Sequence, residues 1–269
     1  QIFTATTKSF ITFFTNAGKV YWIKVHEIPE ASRSSRGSSV KSLIQLSPDE
    51  EISTIVTMKD YTDQQYIFMS TANGTVKKCK TTEFANAKTR GVIGIKLHDG
   101  DHLVSAMLTS GNDDAMLITR KGQALRVSEE SVRPMGRASS GVTGIRLASG
   151  DEVAAAISVE QNKDALVITE KGYGKRVGFD EFGKHGRGTG GQKIFGNIEG
   201  KGEIIGAIAV SETDEVICMS GQGKTLRVSA AMISKQGRAS SGTRIINIDE
   251  PDYVVGFDKV ANEDEKDKE

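Results

Sequence analysis

Basic side chains recur at two sets of regularly spaced positions and could bind phosphate groups. The first set recurs at intervals of 48, 50 and 51 residues and comprises Lys78, Arg126, Arg176 and Arg227. The second set lies in short segments rich in Ser and Gly and comprises Arg33, Arg137, Arg187 and Arg238. A guanidinium supplies charge, a hydroxyl supplies a hydrogen-bond donor, and glycine lets a main-chain N–H approach a phosphate oxygen. Both sets therefore predict contacts with a polyanion.

The regular spacing reflects an internal repeat. Five segments combine an apolar strand, a tight turn and a second strand, and the turn glycines are Gly18, Gly74, Gly122, Gly172 and Gly223. A second glycine follows 19, 17, 19, 19 and 19 residues later, as Gly37, Gly91, Gly141, Gly191 and Gly242. This register predicts a repeat architecture with units at about 8–60, 61–112, 113–162, 163–213 and 214–260.

Each repeat has the pattern of four short strands. The first glycine suits a hairpin, because it adopts a positive φ without a Cβ clash. A polar connection then carries one apolar residue in each repeat, namely Ile28, Phe84, Val132, Phe182 and Ile233. The third strand follows the second glycine, as in Val142–Leu147, and a turn leads to the fourth. One such sheet cannot bury both of its faces, whereas five stacked sheets can.

The sequence therefore predicts an all-β, propeller-like fold, closed or slightly spiral, in a single domain over residues 1–260. Five blades of four strands are visible. Residues 1–7 match the last strand of a preceding unit, so we expect a remnant of a sixth blade. Residues 261–269 hold five acidic and two basic side chains and predict an acidic, disordered tail.

Strand alternation predicts which way the first basic set points. Apolar neighbours such as Leu125 and Val127 would face inward, and the basic residue between them outward. The first repeat has Trp22 at this position, and the second repeat has Ala87 in the second set but offers Lys88 and Arg90. Isolated outward lysines and arginines are usually only solvated. Two sets that are each basic in four of five repeats, with no acidic residue in either, favour binding instead.

Overall composition neither supports nor excludes a nucleic-acid partner. The net charge is zero, but the last nine residues carry −3, so the remainder carries +3. Cys79 and Cys218 lie in apolar runs and are typical of buried thiols in a reducing compartment. His98 and His102 could suggest a metal pair, but their segment matches the turn before the fourth strand in the next repeat, so a turn is favoured. No combination of residues predicts catalysis, a metal or a cofactor.

Several segments resemble the C-terminal domain of bacterial DNA gyrase A. They are Asn16–Tyr21, Thr71–Lys78, Gly91–Leu97, Gly141–Leu147 and Lys171–Arg176. The resemblance implies a β-pinwheel, a propeller-like fold whose blades exchange strands. It also implies a non-catalytic domain that wraps double-stranded DNA on its outer edge and supports negative supercoiling. The family's Gln-Arg-Arg-Gly-Gly-Lys-Gly box does not occur in this chain.

The resemblance further implies the partners and the candidate residues. The partners would be double-stranded DNA, the rest of gyrase A, and gyrase B, in an ATP-dependent type IIA topoisomerase of the bacterial cytoplasm with no membrane association. The candidate DNA-binding residues are Arg33, Arg36, Lys77, Lys78, Lys88, Arg90, Arg126, Arg137, Lys175, Arg176, Arg187, Arg227 and Arg238. Two alternatives remain open: the related domain of topoisomerase IV, and a propeller-type scaffold for protein interactions.

Overall fold

The computed structural model describes residues 5–32, 35 and 37–260, and these residues form short β-strands and single 3₁₀ turns. The strands of the first two repeats are β1 (Phe10–Thr15), β2 (Lys19–Lys24), β3 (Ile52–Met58), β4 (Tyr66–Thr71), β5 (Thr75–Lys80), β6 (Val92–Ile93) and β7 (Leu103–Thr109). The remaining strands are β8 (Asp114–Thr119), β9 (Gln123–Ser128), β10 (Val142–Thr143), β11 (Val153–Ser158), β12 (Asp164–Thr169), β13 (Tyr173–Gly178), β14 (Gln192–Lys193), β15 (Ile204–Val210), β16 (Glu215–Ser220), β17 (Thr225–Ser229), β18 (Thr243–Arg244) and β19 (Val254–Lys259).

Short 3₁₀ turns lie in the connections that follow the hairpins. They span Val25–Glu27, Val40–Ser42, Thr81–Phe84, Lys88–Arg90, Glu129–Ser131, Phe179–Glu181 and Ala230–Met232. No helix in the described part of the chain is long and apolar enough to cross a membrane.

Every repeat opens with the predicted antiparallel hairpin. In the third repeat, for example, Asp114 pairs with Ser128 and Ile118 with Ala124 on either side of the turn at Gly122. The fourth strand of each repeat pairs with the first, and each of these five pairings has a register shift near its end. The recurrence of the register shift shows that the five repeats share one backbone arrangement.

The third strand of a repeat joins the sheet of the preceding repeat. It is only two residues long, so the strand expected over Val142–Leu147 is reduced to β10. Strand β6 pairs with β2, β10 with β5, β14 with β9 and β18 with β13. The expected exchange of strands between neighbouring units is therefore confirmed. Four sheets have four strands, and the fifth, ordered β17-β16-β19, has three among the described residues.

The described residues divide into two compact units. The first contains residues 5–113 and 129–144, and the second contains residues 114–128 and 145–260. In the first unit one apolar core joins sheets one and two, with Phe14, Met69 and Phe84 among its members. In the second unit, cores of this kind join the third sheet to the fourth and the fourth to the fifth. Among the apolar residues of the connections, Phe84, Val132, Phe182 and Ile233 are buried and Ile28 is half-buried.

Two predicted segments fall outside the described residues. The acidic tail, residues 261–269, lies wholly outside them, and so does the first part of the predicted remnant strand, residues 1–4. Residues 5–9, which are described, form no strand. The single-domain organisation stays a prediction.

The turn glycines generate a prediction about stability. Gly172 and Gly223 occupy equivalent turns with φ of 80° and 86°, so alanine at either costs about 1–2 kcal/mol of unfolding free energy. A Cβ at Gly172 would also overlap the carbonyl oxygen of Ile246, whereas at Gly223 it meets no atom within 4 Å. We expect Gly172→Ala to lose about 1–3 kcal/mol more than Gly223→Ala in urea unfolding. Equal losses would show that contact with the following repeat is unimportant at this glycine.

Candidate nucleic-acid interface

The first basic set lies mainly inside the fold rather than on its surface. Lys78 is 3% exposed and Arg176 is 4% exposed, and their neighbours Lys77 and Lys175 are fully buried. The prediction that alternation directs the first set outward is therefore wrong at Lys78 and Arg176. Alternation fails because all four interior residues of β5 are buried, so neither face of that strand is free for solvent.

Side chains of the first set donate hydrogen bonds to the following repeat. Lys78 Nζ donates to the carbonyl of Glu129 at 2.8 Å, Arg126 Nη1 to that of Phe179 at 3.1 Å, and Arg176 Nε to that of Ile233 at 2.9 Å. Each acceptor lies in or directly after a 3₁₀ turn. We call Trp22, Lys78, Arg126 and Arg176 the donor column.

Trp22 explains what this position requires. Its Nε1 donates to the carbonyl of Phe84 at 3.1 Å, at the end of the 3₁₀ turn of the second repeat. An indole N–H has no charge, yet it makes the same connection as Lys78 or Arg126. The position therefore requires a long side chain with an N–H donor rather than a positive charge. Trp22 meets this requirement, although the sequence pattern makes it look like an exception among basic residues.

Carboxylates neutralise the charged members of the donor column. Asp114 lies 2.8 Å from Arg126 and 2.9 Å from Lys184, and Asp164 lies 3.1 Å from Arg176 and 2.8 Å from Lys235. Burial alone would raise the pKa of Asp114, but hydrogen bonds from Lys184 and Arg126 hold that pKa below its usual value. The charges of Arg126 and Arg176 are therefore balanced by carboxylates of the chain itself.

Arg227, the equivalent residue of the fifth repeat, differs from the donor column. Its side chain is 59% exposed and pairs with Glu215 on the neighbouring strand. Arg227 therefore remains accessible to a ligand, whereas Lys78 and Arg176 do not.

The second basic set is carried by a recurring four-residue turn. The first residue of the turn accepts a hydrogen bond from the hydroxyl of the fourth, and the arginine occupies the second position. The bonds run from Ser35 to Ser32, Ser139 to Gly136, Thr189 to Gly186 and Ser240 to Gly237, over 2.7–3.1 Å. We call residues 32–35, 136–139, 186–189 and 237–240 the arginine turns.

The described arginines of the arginine turns are at least partly accessible to solvent. Arg137 and Arg187 are exposed and Arg238 is half-buried. Lys88 and Arg90, which replace the missing arginine of the second repeat, are exposed in the 3₁₀ turn Lys88–Arg90. Arg33 and Arg36 lie outside the described residues.

Further exposed basic residues, which the sequence analysis missed, follow the second glycines. They are Lys96, Arg146, Lys193 and Arg244. The main-chain N–H of Lys96 donates to Ser139 O at 3.0 Å, and that of Arg146 to Thr189 O at 2.9 Å. Both residues are thereby joined to an arginine turn of the next repeat. The available signal was a lysine or arginine two or five residues after four of the five second glycines, namely Gly91, Gly141, Gly191 and Gly242.

Lys77 and Lys175 occupy the interior beneath two arginine turns. Lys77 Nζ donates to the carbonyls of Arg137 and Ser139 at 2.5 and 2.9 Å, and Lys175 Nζ to that of Arg238 at 2.9 Å. Burial lowers the pKa of Lys175 to about 8 and shifts that of Lys77 in the same direction. Neither ammonium group can reach a phosphate, so their predicted contact with DNA is not supported by the structure.

The other residues considered for chemistry are placed as follows. Cys79 and Cys218 are free and buried, and burial raises the pKa of both thiols to about 11. Among residues 5–32, 35 and 37–260, no group of three or more His, Cys, Asp or Glu side chains could hold a metal ion.

Comparison with known proteins gives consistent matches over nearly the whole chain. The family model described as "DNA gyrase C-terminal domain, beta-propeller" matches residues 9–57, 65–110, 113–160, 163–211 and 214–261, one match for each repeat. The DNA gyrase A protein of Treponema pallidum is 61% identical over 96% of the chain, and that of Salmonella typhimurium is 37% identical over 97%. The chain spans 32% and 30% of the length of these two relatives.

Solved structures show the same architecture. A DNA gyrase A C-terminal domain aligns with a TM-score of 0.84 and 32% identity, covering 95% of this chain and 83% of the other. The C-terminal domain of a DNA topoisomerase IV aligns with a TM-score of 0.85 and 26% identity, covering 94% of this chain and 80% of the other.

Removing a member of the donor column tests its structural role. Arg176→Met leaves the carbonyl of Ile233 without its donor and Asp164 without one of its two cations, so we expect a loss of about 3 kcal/mol in unfolding free energy. Arg227→Met, at the equivalent exposed position, should change it by less than about 0.5 kcal/mol. Denaturant unfolding of both variants measures the difference. Similar small losses in both would mean that the donor column does not stabilise the fold.

Proposed function

The chain belongs to the family of DNA gyrase C-terminal domains, and on that premise we propose that it is a non-catalytic module that binds and bends double-stranded DNA. The observation that carries the proposal is the arginine turn, which recurs in four repeats and whose arginine is exposed at Arg137 and Arg187 and half-buried at Arg238. Because the arginine turn recurs with the repeat, it suits a ligand such as duplex DNA, whose phosphate charges are evenly spaced.

The proposed contacts use the accessible basic residues alone. The exposed or half-exposed members of the candidate set are Lys88, Arg90, Arg126, Arg137, Arg187, Arg227 and Arg238. Lys96, Arg146, Lys193 and Arg244 join them, because they are exposed and close in sequence to the second glycines. Arg126 contributes least, since its guanidinium is already bonded to Asp114 and Phe179.

Phosphate contacts of this kind contribute affinity for DNA but no preference for particular base sequences. Bending a duplex of 20–30 base pairs by 40–90° costs about 1–6 kcal/mol, which several phosphate contacts together can offset. Preference among sequences would then follow the flexibility of the DNA rather than its base edges. We propose that the bend supports the wrapping of DNA needed for negative supercoiling.

The wider assembly follows from the relatives. Since the chain spans about a third of the gyrase A protein in those relatives, we propose that it works as part of such a protein, together with gyrase B, in a type IIA topoisomerase of the bacterial cytoplasm. In this proposal the reacting groups and the ATP lie elsewhere in the enzyme. No catalytic residue, cofactor or metal is assigned to this chain.

The salt dependence of DNA affinity tests the proposal. We expect the affinity for a 40-base-pair duplex, measured by fluorescence anisotropy, to fall steeply with salt. The combined variant Arg137→Gln, Arg187→Gln and Arg238→Gln should flatten the log–log slope by about 3, since each lost phosphate contact removes about 0.9.

A control of equal charge separates specific contacts from net charge. The combined variant Lys8→Gln, Lys121→Gln and Lys171→Gln removes three exposed charges that lie outside the arginine turns. We expect this control to keep most of the wild-type slope. If the two triple variants weaken binding equally, the arginine turns are not the binding site. If the wild-type chain shows a slope near 1, the chain does not bind DNA as proposed, and a scaffold for protein interactions becomes the better account.

A further inference from the structure

Two buried lysines are placed so that they control the arginine turns without touching DNA. Lys77 and Lys175 lie three residues after the first glycine of the second and fourth repeats, and both are fully buried. Lys77 Nζ donates to the carbonyls of Gly94, Arg137 and Ser139 at 2.8, 2.5 and 2.9 Å. Each ammonium is therefore solvated by main-chain carbonyls of the fold rather than by water.

Lys175 makes a similar set of bonds two repeats further along the chain. Its Nζ donates to the carbonyls of Gly237, Arg238 and Ser240 at 2.7, 2.9 and 3.0 Å, and to the hydroxyl of Ser240 at 3.0 Å. Three carbonyls that converge on one cation fix the peptide planes of the whole turn. The direction in which the arginine leaves the turn is fixed with them.

A carboxylate holds each of these turns from a second direction. The main-chain N–H of Arg137 donates to Glu83 at 3.3 Å, and that of Arg238 donates to Glu181 at 2.7 Å. The lysine thus binds the carbonyl of the turn arginine while the glutamate binds its N–H. Both clamping residues come from the repeat that precedes the turn.

The third repeat lacks both clamping residues. Leu125 stands where Lys77 and Lys175 stand, and Ser131 stands where Glu83 and Glu181 stand. The turn that follows from the fourth repeat carries Arg187 within Gly186–Gly191, a segment with four glycines in six residues. Glycine increases the conformational freedom of a segment. The lysine and the glutamate are therefore present at the Arg137 and Arg238 turns and are replaced by other residues at the Arg187 turn.

We propose that Lys77 and Lys175 are positioning residues for DNA binding, each holding the arginine turn of the following repeat in its phosphate-binding conformation. Arg137 and Arg238 then meet DNA with little loss of conformational entropy. This role rests on the proposed function, because it assumes that the turn arginines contact phosphate.

Double-mutant cycles test the assignment. Lys175→Met should weaken binding of a 40-base-pair duplex about threefold to tenfold, the cost of ordering one mobile side chain. It should do so by the same factor at every salt concentration, because the number of phosphate contacts is unchanged. Arg238→Gln should instead flatten the log–log salt slope by about 0.9. In the double variant, Lys175→Met should have no further effect.

A crossed pair provides the control. Lys175→Met combined with Arg137→Gln should give the product of the two single effects, as should Lys77→Met combined with Arg238→Gln. A general loss of stability would weaken binding in every background and would not vanish with one particular arginine. The proposal is overturned if folded Lys175→Met binds like wild type, or if its effect is the same with and without Arg238.

A gain-of-function variant covers the case in which the methionine variants do not fold. Leu125→Lys with Ser131→Glu supplies the missing clamp to the Arg187 turn and should tighten binding about threefold, an effect that Arg187→Gln abolishes. Unchanged binding by the folded variant would count against the positioning role. If the arginine variants themselves leave binding intact, the proposed function fails, and that result is distinct from failure of the clamp alone.

Discussion

The fold depends on a buried or half-buried N–H donor four residues after the first glycine, which binds a carbonyl in or directly after the 3₁₀ turn of the next repeat. The first four repeats use Trp22, Lys78, Arg126 and Arg176 for this purpose. A buried carbonyl left without a hydrogen-bond donor costs about 1–3 kcal/mol of unfolding free energy. This hydrogen bond therefore stabilises the contact between one repeat and the next. The two-residue exchanged strands are too short to hold neighbouring repeats together by their own hydrogen bonds. The donor therefore fixes the connection that leads to each of them.

This constraint divides the basic residues of the chain into two groups with different roles. Inside the fold, Lys78 and Arg176 are neutralised by Glu129 and Asp164 and stabilise the junctions. Outside, Arg137 and Arg187 are exposed on turns that are closed by a side-chain hydrogen bond. Between the two groups lie Lys77 and Lys175, which belong to the interior but act on the turns. A neutral overall charge is compatible with basic turns because the last nine residues carry −3 and the remainder carries +3.

The sequence predicts the repeats, the hairpins and the recurring apolar residue of each connection, because each depends on local chemistry that glycine and apolar spacing reveal. It misplaces Lys78 and Arg176, because alternation assumes that one face of a strand is solvated, and burial of the whole of β5 is a tertiary property. The two-residue length of β10 follows from pairing with a different repeat, which no local pattern encodes. The arginine turn is visible in the sequence as Gly-Arg-x-Ser or Gly-Arg-x-Thr in three repeats and as Ser-Arg-x-Ser in the first. Its clamp becomes evident only from the positions of Lys77 and Lys175 in the structure.

The most direct test is to find which guanidinium groups DNA covers. An arginine-selective dicarbonyl reagent, read by mass spectrometry with and without saturating duplex, reports this for the folded chain. The account predicts that Arg137, Arg187 and Arg238 react in the free chain and are protected by DNA, while Arg176 is unreactive in both states. Equal reaction of the three turn arginines with and without bound DNA would contradict it.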